Sequence, residues 1–494
     1  MMIPTLQFGF DNSYRRLPDR FYAKLAPIPV EAPQPIAFNR SLAEALGLDL
    51  AAIETNMATI FSGNELPADA DPIATAYAGH QFGQFVPQLG DGRAILIGEV
   101  VDRAGQRKDI QLKGSGRTPF SRNGDGRAAL GPVLREYIVS EAMHALGLPT
   151  TRALAAVTTG EPVYREQALP GAILTRVATS HIRVGSFQYF AVRGDTDAVR
   201  QLANHVITRH YPEVSEAEHP YLALLDRIMD RQASLVARWL HVGFIHGVMN
   251  TDNMTVSGET IDYGPCAFLD HYDPAMVFSS IDQGGRYAFA NQPSIAQWNL
   301  ARLAETLLPL IDANPEQAIA PATDVINAFP ERFEGYWLEG MRRKLGLATT
   351  EPNDSALVQE LFDAMHRAAA DFTLTFRRLC DVAEDPQAEN VLCDLLGNSQ
   401  PFDAWLAHWR ERLARDPQTP NERAARMRGA NPAFIPRNHR VEQALSAAVE
   451  QGDFQPFDTL WRVLEQPYQD QPTMAAYAEP PLPSERVHQT FCGT

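Results

Sequence analysis

Cysteine is scarce in this sequence of 494 residues: Cys266, Cys380, Cys393 and Cys492 are scattered, and no two of them form a CxxC pair. So few cysteines exclude a disulfide framework and a zinc site of the CxxC type. No stretch approaches the roughly 18 uninterrupted apolar residues that would span a bilayer. The residues before Tyr22 also lack the apolar segment of a secretory signal peptide. We therefore expect a bacterial-type cytoplasmic protein with no membrane partner.

Positive charge is in deficit, because 43 Lys and Arg residues stand against 60 Asp and Glu residues, for a net charge of −17. Such a surface repels nucleic acid, so we expect no nucleic-acid partner, although a local basic pocket for a small polyanion remains compatible with it. Apolar residues make up 45% of the chain, which suffices for a large core.

Strand-like patterns precede helix-like patterns along the chain. Residues 93–113 predict a hairpin, because two apolar or alternating runs flank a turn-like Asp-Arg-Ala-Gly. A glycine-rich segment follows, and then a helix predicted over 132–145 that Gly147 ends. Further helices are predicted over 222–240, 295–310, 356–379 and 441–449. This order predicts an α+β fold of two lobes with a cleft between them.

The strongest local signal is His246-Gly-Val-Met-Asn-Thr-Asp252-Asn253, followed by Asp262-Tyr-Gly. His246 and Asn253 keep the spacing of a kinase catalytic loop, and the second motif matches the metal-binding DFG segment. The position of the kinase base is Val248, which cannot accept a proton. Asp252 is the nearest carboxylate that could replace it. The alternative interpretation is an Asx-rich turn between strands.

Lys113 ends the alternating run of the hairpin, and Glu136 lies in the next predicted helix. This is the order of the strand lysine and helix glutamate that form an ion pair in kinases. Taken alone, the two residues are better interpreted as parts of a solvated strand and helix. Their position upstream of the catalytic-loop motif favours the ion pair.

Long strings of this chain resemble the selenoprotein O (YdiU-type) protein nucleotidyltransferases. They include Gln84-Phe-Val-Pro-Gln-Leu-Gly-Asp-Gly-Arg93, Gln111-Leu-Lys-Gly-Ser-Gly-Arg-Thr-Pro-Phe-Ser-Arg122, Gly124-Asp-Gly-Arg127, Asn250-Thr-Asp-Asn-Met254, Asp262-Tyr-Gly-Pro265 and Asn431-Pro-Ala-Phe-Ile-Pro-Arg-Asn-His439. The resemblance implies a protein-kinase-like fold with a strand-rich N-lobe and a helical C-lobe. We divide the chain into an N-terminal extension (1–75), an N-lobe with the nucleotide site (76–190), a C-lobe with the catalytic loop (191–400) and a helical C-terminal extension with a mobile tail (401–494).

The resemblance also implies the residues of the site. Asp252 would be the catalytic base, and Asn253 and Asp262 would hold Mg²⁺ or Mn²⁺. ATP would bind inverted relative to a kinase, with its γ-phosphate buried. The implied nucleotide-binding residues are Gly90, Gly92, Arg93, Lys113, Asp125, Gly126, Arg176, Arg183 and Asp262. Without the resemblance, Arg176 and Arg183 would be interpreted as surface arginines.

The function implied is protein adenylyltransferase: AMP passes from ATP to Ser, Thr or Tyr hydroxyls of protein substrates, and pyrophosphate leaves. Redox-related proteins are the substrates we expect, and UMP transfer from UTP stays open as a second activity. Two alternatives also stay open. One is a metal-dependent kinase or phosphotransferase in which Asp252 takes the role of the missing carboxylate. The other is a catalytically silent pseudokinase that binds ATP.

The resemblance further suggests redox control, because some bacterial relatives link a C-terminal cysteine to one in the activation segment. Cys492 lies two residues from the end of the sequence, and Cys266 follows Asp262 closely, although a small buried hydrophobe is an equally good interpretation of Cys266. We predict a disulfide between them that restricts the activation segment. Peptide mapping under oxidising conditions checks this. Only free thiol at Cys492, with Cys492→Ser equally sensitive to reductant, would contradict it.

Overall fold

The computed structural model describes residues 6–396 and 400–491, and this part of the chain is a mixed α/β structure. Its strands are β1 Tyr22–Lys24, β2 Pro35–Phe38, β3 Ile73–Thr75, β4 Gly79–Gln81, β5 Gln84–Val86, β6 Ala94–Val101, β7 Arg107–Lys113, β8 Ala128–Ala129, β9 Arg152–Tyr164, β10 Ala168–Ala178, β11 Phe244–Ile245 and β12 Ala267–Phe268. Its α-helices are α1 Arg40–Leu46, α2 Leu50–Phe61, α3 Leu130–Ala145, α4 Val184–Ala191, α5 Thr196–His210, α6 Pro220–His241, α7 Gln292–Ile311, α8 Pro315–Asn327, α9 Phe329–Lys344, α10 Asp354–Ala368, α11 Phe372–Glu384, α12 Asn390–Leu396, α13 Gln400–Ala414, α14 Pro420–Arg428, α15 Asn438–Gln451 and α16 Gln455–Leu464.

An eight-stranded antiparallel sheet organises the first part of the chain. Its order is β1-β3-β6-β7-β10-β9-β2, and β8 pairs with β10. The hairpin predicted over 93–113 is confirmed as β6 and β7, with Ala94 opposite Lys113. Two small sheets, β4-β5 and β11-β12, stand apart from it. Strands β1, β2 and β3, which lie within the predicted N-terminal extension, join the main sheet, and the division of the chain at residue 75 stays a prediction.

Helices cover both faces of the sheet. On one face, Ile53 and Ile60 of α2 share a buried apolar cluster with Ile95 of β6 and Ile110 of β7. On the other face, α3 shares a cluster with β9, β10, α15 and α16. Since both faces are covered, the side chains of β6 are buried from Ala94 to Val100.

Helix α3 begins at Leu130, two residues before the predicted start, and ends at Ala145 as predicted. Its outer side is covered as well, because Tyr137 meets the ring of Trp461 of α16 edge-on with centroids 5.1 Å apart. With both sides of α3 covered, Glu136 is buried.

The helical second part agrees with most of the pattern. The helices predicted over 222–240, 295–310 and 441–449 lie within α6, α7 and α15. The single helix predicted over 356–379 is wrong, because α10 ends at Ala368 and α11 begins at Phe372. Ala369 takes a left-handed backbone conformation at φ 47°, and the Asp371 carboxylate then accepts from the amide of Leu374 to cap α11. Periodicity continues across this break, so it gives no signal.

Thr490, close to the end of the described residues, contacts the segment after Asp262. The amide of Thr490 donates to the carbonyl of Phe278 at 2.7 Å, and its hydroxyl donates to the carbonyl of Pro265 at 2.6 Å. The neighbouring Cys266 is buried. Cys492 lies outside the described residues, so its disulfide stays a prediction. No helix in the described part of the chain is long and apolar enough to cross a membrane.

Arg437 joins the C-terminal helices to the rest of the molecule. Its guanidinium is 1% exposed and lies 2.7 Å from the Asp371 carboxylate and 3.4 Å from that of Asp270. It also donates to the carbonyl of Ala478 at 2.9 Å. Because the pair is buried, loss of one partner leaves an uncompensated charge.

We predict that Arg437→Met lowers the free energy of unfolding by about 3–5 kcal/mol, because Asp371 would stay buried without its cation. Denaturant unfolding measures the change. The matched control is Arg410→Met, because Arg410 forms an exposed ion pair with Glu389 at 2.6 Å. That change should cost about 0–1 kcal/mol. Equal losses in the two variants would contradict the prediction.

Candidate active site

Three buried cations converge on two carboxylates at one end of the main sheet. Lys113 ends β7, Arg176 lies in β10 opposite Gln111, and Arg183 directly precedes α4. Lys113 and Arg176 both contact the Glu136 carboxylate, and Arg176 also contacts Asp262. Nη1 of Arg183 lies 3.2 Å from Oδ2 of Asp262. The structure thus brings together residues that are up to 149 positions apart in the sequence.

Both carboxylates are held ionised. Burial alone would raise the pKa of Asp262, but the charges of Arg176, Arg183 and Lys113 outweigh it and hold that pKa well below its ordinary value. For Glu136 burial again opposes ionisation, and Arg176 and Lys113 lower the pKa. The groups of the cluster are therefore already charged before a polyanion binds. Binding can exchange their ion-pair partners without first ionising a group.

Residues 246–253, which we call the catalytic loop after the kinase motif, hold the backbone next to Asp262 through a hydrogen bond. Asp262 takes a positive φ of 62°, a conformation that Asp tolerates better than most residues. Nε2 of His246 donates to the carbonyl of Ile261 at 2.9 Å, and Nδ1 of the same ring accepts from the amide of Val248 at 3.3 Å. His246 therefore fixes the distance between the loop and the strand-like segment that carries Asp262.

Asp252 lies beside this cluster in a different environment. It is buried in a single 3-10 turn, Thr251–Asn253, and burial raises its pKa to about 6. Its Oδ2 accepts from Nε2 of Gln81 at 3.2 Å. Its Oδ1 has no hydrogen-bond partner among residues 6–396 and 400–491. Arg183 reaches only the Asp252 backbone, donating to its carbonyl at 2.9 Å. A carboxylate that has a raised pKa and one oxygen without a hydrogen bond is suited to accept a proton.

The hairpin of β4 and β5 contacts the catalytic loop, and sequence reasoning missed it. The amide of His80 donates to Oγ1 of Thr251 at 2.7 Å, and the amide of Phe82 donates to Oδ1 of Asn250 at 3.0 Å. A side chain at Gly79 would place its Cβ 2.6 Å from Oδ1 of Asp252. The only available signal was a Gly-His-Gln string just upstream of the motif that begins at Gln84.

Two further residues were missed at Arg183. Its guanidinium lies over the ring of Tyr77 at 4.4 Å from the centroid, and Nη2 is 3.8 Å from the Asp91 carboxylate. Asp91 stands inside a quoted motif, between Gly90 and Gly92. Its oxygen Oδ2 accepts from both the amide and the hydroxyl of Thr75, so the carboxylate is fixed by the sheet.

Asn253 and Asp262 are the residues that could hold a metal ion. Nδ2 of Asn253 donates to the carbonyl of Val248 at 3.0 Å, which leaves its amide oxygen available as a ligand. One amide oxygen and one carboxylate fit Mg²⁺, which takes few protein ligands and completes its shell with phosphates and water. No cluster of three or more His, Cys, Asp or Glu side chains suited to a metal occurs within the described ranges.

The predicted glycines lie in loops near the end of β7. Gly90 has a φ of 96° beside the ring of Phe120, and Gly126 has a φ of 69° in close contact with Gly116, so neither position accommodates a side chain. The carbonyl of Arg93 accepts from the amide of Gly114 at 2.7 Å. Gly92 makes a similarly close approach to the backbone of Phe120.

Asp125 is not brought into contact with the buried charges. It is exposed and forms an ion pair with Arg165 at 2.8 Å. A cavity of about 840 Å³ also lies elsewhere, between β7, α5 and α6, and none of the predicted site residues lines it. We place the candidate site at the charge cluster rather than in this cavity, because the cluster contains three buried cations and lies beside the Asp252 oxygen that accepts no hydrogen bond from the described residues.

Comparison with known proteins identifies the class of enzyme. This mixed α/β protein is a nucleotidyltransferase. The family model described as "Protein adenylyltransferase SelO" matches residues 4–465, and the chain belongs to that family. A protein nucleotidyltransferase YdiU of Rhizobium johnstonii is 67% identical over 491 residues, covering 99% of this chain and 98% of the relative. Proteins of the same name from Rhizobium meliloti and Bradyrhizobium diazoefficiens are each 64% identical, covering 99% of this chain and 99% and 100% of the respective relatives.

We predict that Gly79→Ala displaces the Asp252 carboxylate and lowers the rate of group transfer about 100-fold, because a shift of about 1 Å at a reacting group has that effect. Nucleotide affinity should be unchanged, since the buried cations are untouched. Steady-state kinetics and calorimetry check the two quantities. Gly284→Ala is the control, because a Cβ there meets nothing within 4 Å. An unchanged rate in Gly79→Ala would show that this contact does not position Asp252.

Proposed function

We propose that the chain transfers AMP from ATP to Ser, Thr or Tyr hydroxyls of other proteins, in a kinase-like fold. The sheet with α1 to α4 would form the N-lobe, and the helices from α5 onward would form the C-lobe, close to the division at residues 76–190 and 191–400. One observation carries the proposal. Oδ1 of Asp252, which accepts no hydrogen bond from the described residues, belongs to a carboxylate beside three buried cations.

The cations would hold the distal phosphates of ATP. Lys113, Arg176 and Arg183 are at most 7% exposed, so a phosphate that reaches them is withdrawn from water. Their ion-pair partners in the structure are the carboxylates of Glu136 and Asp262. In this proposal, backbone amides of the segments containing Gly90, Gly92, Arg93 and Gly126 would add hydrogen-bond donors. Asp125 would lie at the edge of the nucleotide site, where it pairs with Arg165.

A divalent ion would be held by Asn253 and Asp262. When bound, Mg²⁺ or Mn²⁺ supplies charge compensation for the phosphates. The pairing of a carboxylate with an amide oxygen supports this assignment, and it favours neither ion over the other.

In the proposed reaction, the acceptor hydroxyl gives its proton to Asp252, and its oxygen forms a bond to the α-phosphorus. The bond from the α-phosphorus to the bridging oxygen of the β-phosphate breaks, and pyrophosphate leaves. Arg176 and Arg183 stabilise the charge that develops on the leaving group. Val248, at the position of a kinase base, takes no part. Burial of the γ-phosphate would leave the α-phosphorus as the accessible electrophile.

The deciding experiment uses ATP labelled separately at the α- and γ-phosphates. We expect α-label on the protein product, none from the γ-position, and pyrophosphate as co-product. UTP labelled at its α-phosphate tests the second donor in the same assay. Label arriving from the γ-phosphate, with ADP released, would return the chain to the phosphotransferases. No label from either position, with ATP still bound, would indicate a silent pseudokinase.

Two substitutions provide internal controls for this assay. Asp252→Ala should keep nucleotide affinity and lose transfer by about 10²–10⁴-fold, because a general base acts on the acceptor. Asp262→Ala should lose metal-dependent nucleotide binding as well, because a ligand carboxylate is removed. Equal loss of ATP affinity in both variants would make Asp252 a ligand rather than a base.

A further inference from the structure

An aromatic surface lies on the β4-β5 hairpin and α7, next to the catalytic loop. His80 and Phe85 of the β4-β5 hairpin lie with their rings 4.9 Å apart, and Trp298 of α7 meets the His80 ring edge-on at 5.2 Å. All three side chains are half-buried. The β4-β5 hairpin and α7 therefore form this surface together, and its aromatic rings are partly exposed to solvent.

Two guanidinium groups flank the indole of Trp298. Arg286 lies 4.8 Å and Arg302 lies 5.1 Å from its centroid. Arg302 has a carboxylate partner, Glu305, at 2.7 Å. Arg286 has none within residues 6–396 and 400–491. The nearby Asp282 is occupied, because its oxygens accept from the amides of Arg286 and Tyr287 at 2.9 and 2.8 Å.

This surface is connected directly to the catalytic loop. Oδ1 of Asn250 accepts from the hydroxyl of Tyr287 at 2.7 Å and from the amide of Phe82 at 3.0 Å. In the same hairpin, Gln81 donates to Asp252 at 3.2 Å. The same hairpin borders Arg286, because a Cβ at Gly83 would lie 3.7 Å from the Arg286 guanidinium carbon. In the proposed reaction, a polypeptide whose hydroxyl reaches Asp252 would approach this hairpin.

We propose that Arg286 binds an acidic side chain of the acceptor protein, near the hydroxyl that receives the nucleotide. A guanidinium held on an indole is preorganised, so a carboxylate gains a charge-assisted contact at little cost in side-chain entropy. The chain as a whole carries a net charge of −17 and repels acidic partners. Arg286, a cation with no carboxylate partner in the described part of the chain, would therefore favour the approach of an acidic segment. This inference rests on the proposed function and adds the class of acceptor to it.

The test is a library of peptides with a central Ser, Thr or Tyr and randomised neighbours, incubated with enzyme, metal and ATP labelled distinctly at its α- and γ-phosphates. Modified peptides are identified by mass spectrometry. The variants are Arg286→Ala, Arg286→Glu and Arg286→Lys. The matched control is Arg302→Ala, since that arginine flanks the same indole but already has its own carboxylate.

We expect the unmodified enzyme to favour Asp or Glu over Lys or Arg beside the acceptor by about tenfold in kcat/KM, mainly through KM. Arg286→Ala should abolish the preference, Arg286→Glu should reverse it, and Arg286→Lys and Arg302→Ala should keep it. ATP affinity should be equal in all variants.

No acidic preference in the unmodified enzyme, or the same preference in Arg286→Ala, would overturn the inference. Should Arg286→Ala fail to fold, Arg286→Glu and Arg286→Lys still differ in charge at one position, and equal preferences in those two would overturn it. The double label keeps the proposed function separate, because transfer from the γ-phosphate would refute adenylyl transfer whichever peptides are chosen.

Discussion

Burial of two carboxylates with three cations constrains much of the molecule. Glu136 and Asp262 lie on α3 and on the segment after the catalytic loop, whereas Lys113 and Arg176 come from neighbouring strands. Removal of one partner from such a buried set leaves an uncompensated charge and costs about 3–5 kcal/mol. The sheet, α3 and the catalytic loop must therefore keep their relative positions for the charges to stay paired. Arg183 adds a third connection, because it contacts both Asp262 and the backbone of Asp252.

Two aspartates ten positions apart are given different properties by this arrangement. Asp262 is surrounded by cations that keep it ionised, which suits a ligand of phosphate-bound metal. Asp252 is buried, Gln81 is the one donor to its side chain among residues 6–396 and 400–491, and its pKa is raised to about 6. Environments that separate the pKa values of neighbouring carboxylates assign them different roles. The same principle explains why loss of a kinase base at Val248 need not abolish group transfer.

The C-terminal helices contribute to the site without touching it. Helices α15 and α16 cover the outer side of α3, where Arg135 pairs with Glu442 and Tyr137 packs against Trp461. The sheet covers one side of α3, the helix that carries Glu136. Helices α15 and α16 therefore bury its other side. Arg437 connects the start of α15 to α11 through Asp371. The predicted C-terminal extension, residues 401–494, thus supports the ion pairs of the site.

Local pattern in the sequence determined the β6-β7 hairpin, α3, α6, α7 and α15, because strand alternation and helical periodicity depend on near neighbours. The catalytic-loop motif and the Asp262-Tyr-Gly motif led to Asp252, Asn253 and Asp262, whose roles are still proposals. Only the tertiary structure revealed Gln81 and Gly79 beside Asp252, since these contacts join residues that are more than 170 positions apart. It also decided the break at Ala369, where a left-handed residue and the Asp371 cap interrupt an otherwise continuous helical pattern. Contacts of this kind depend on how distant elements pack, and no short stretch of sequence encodes them.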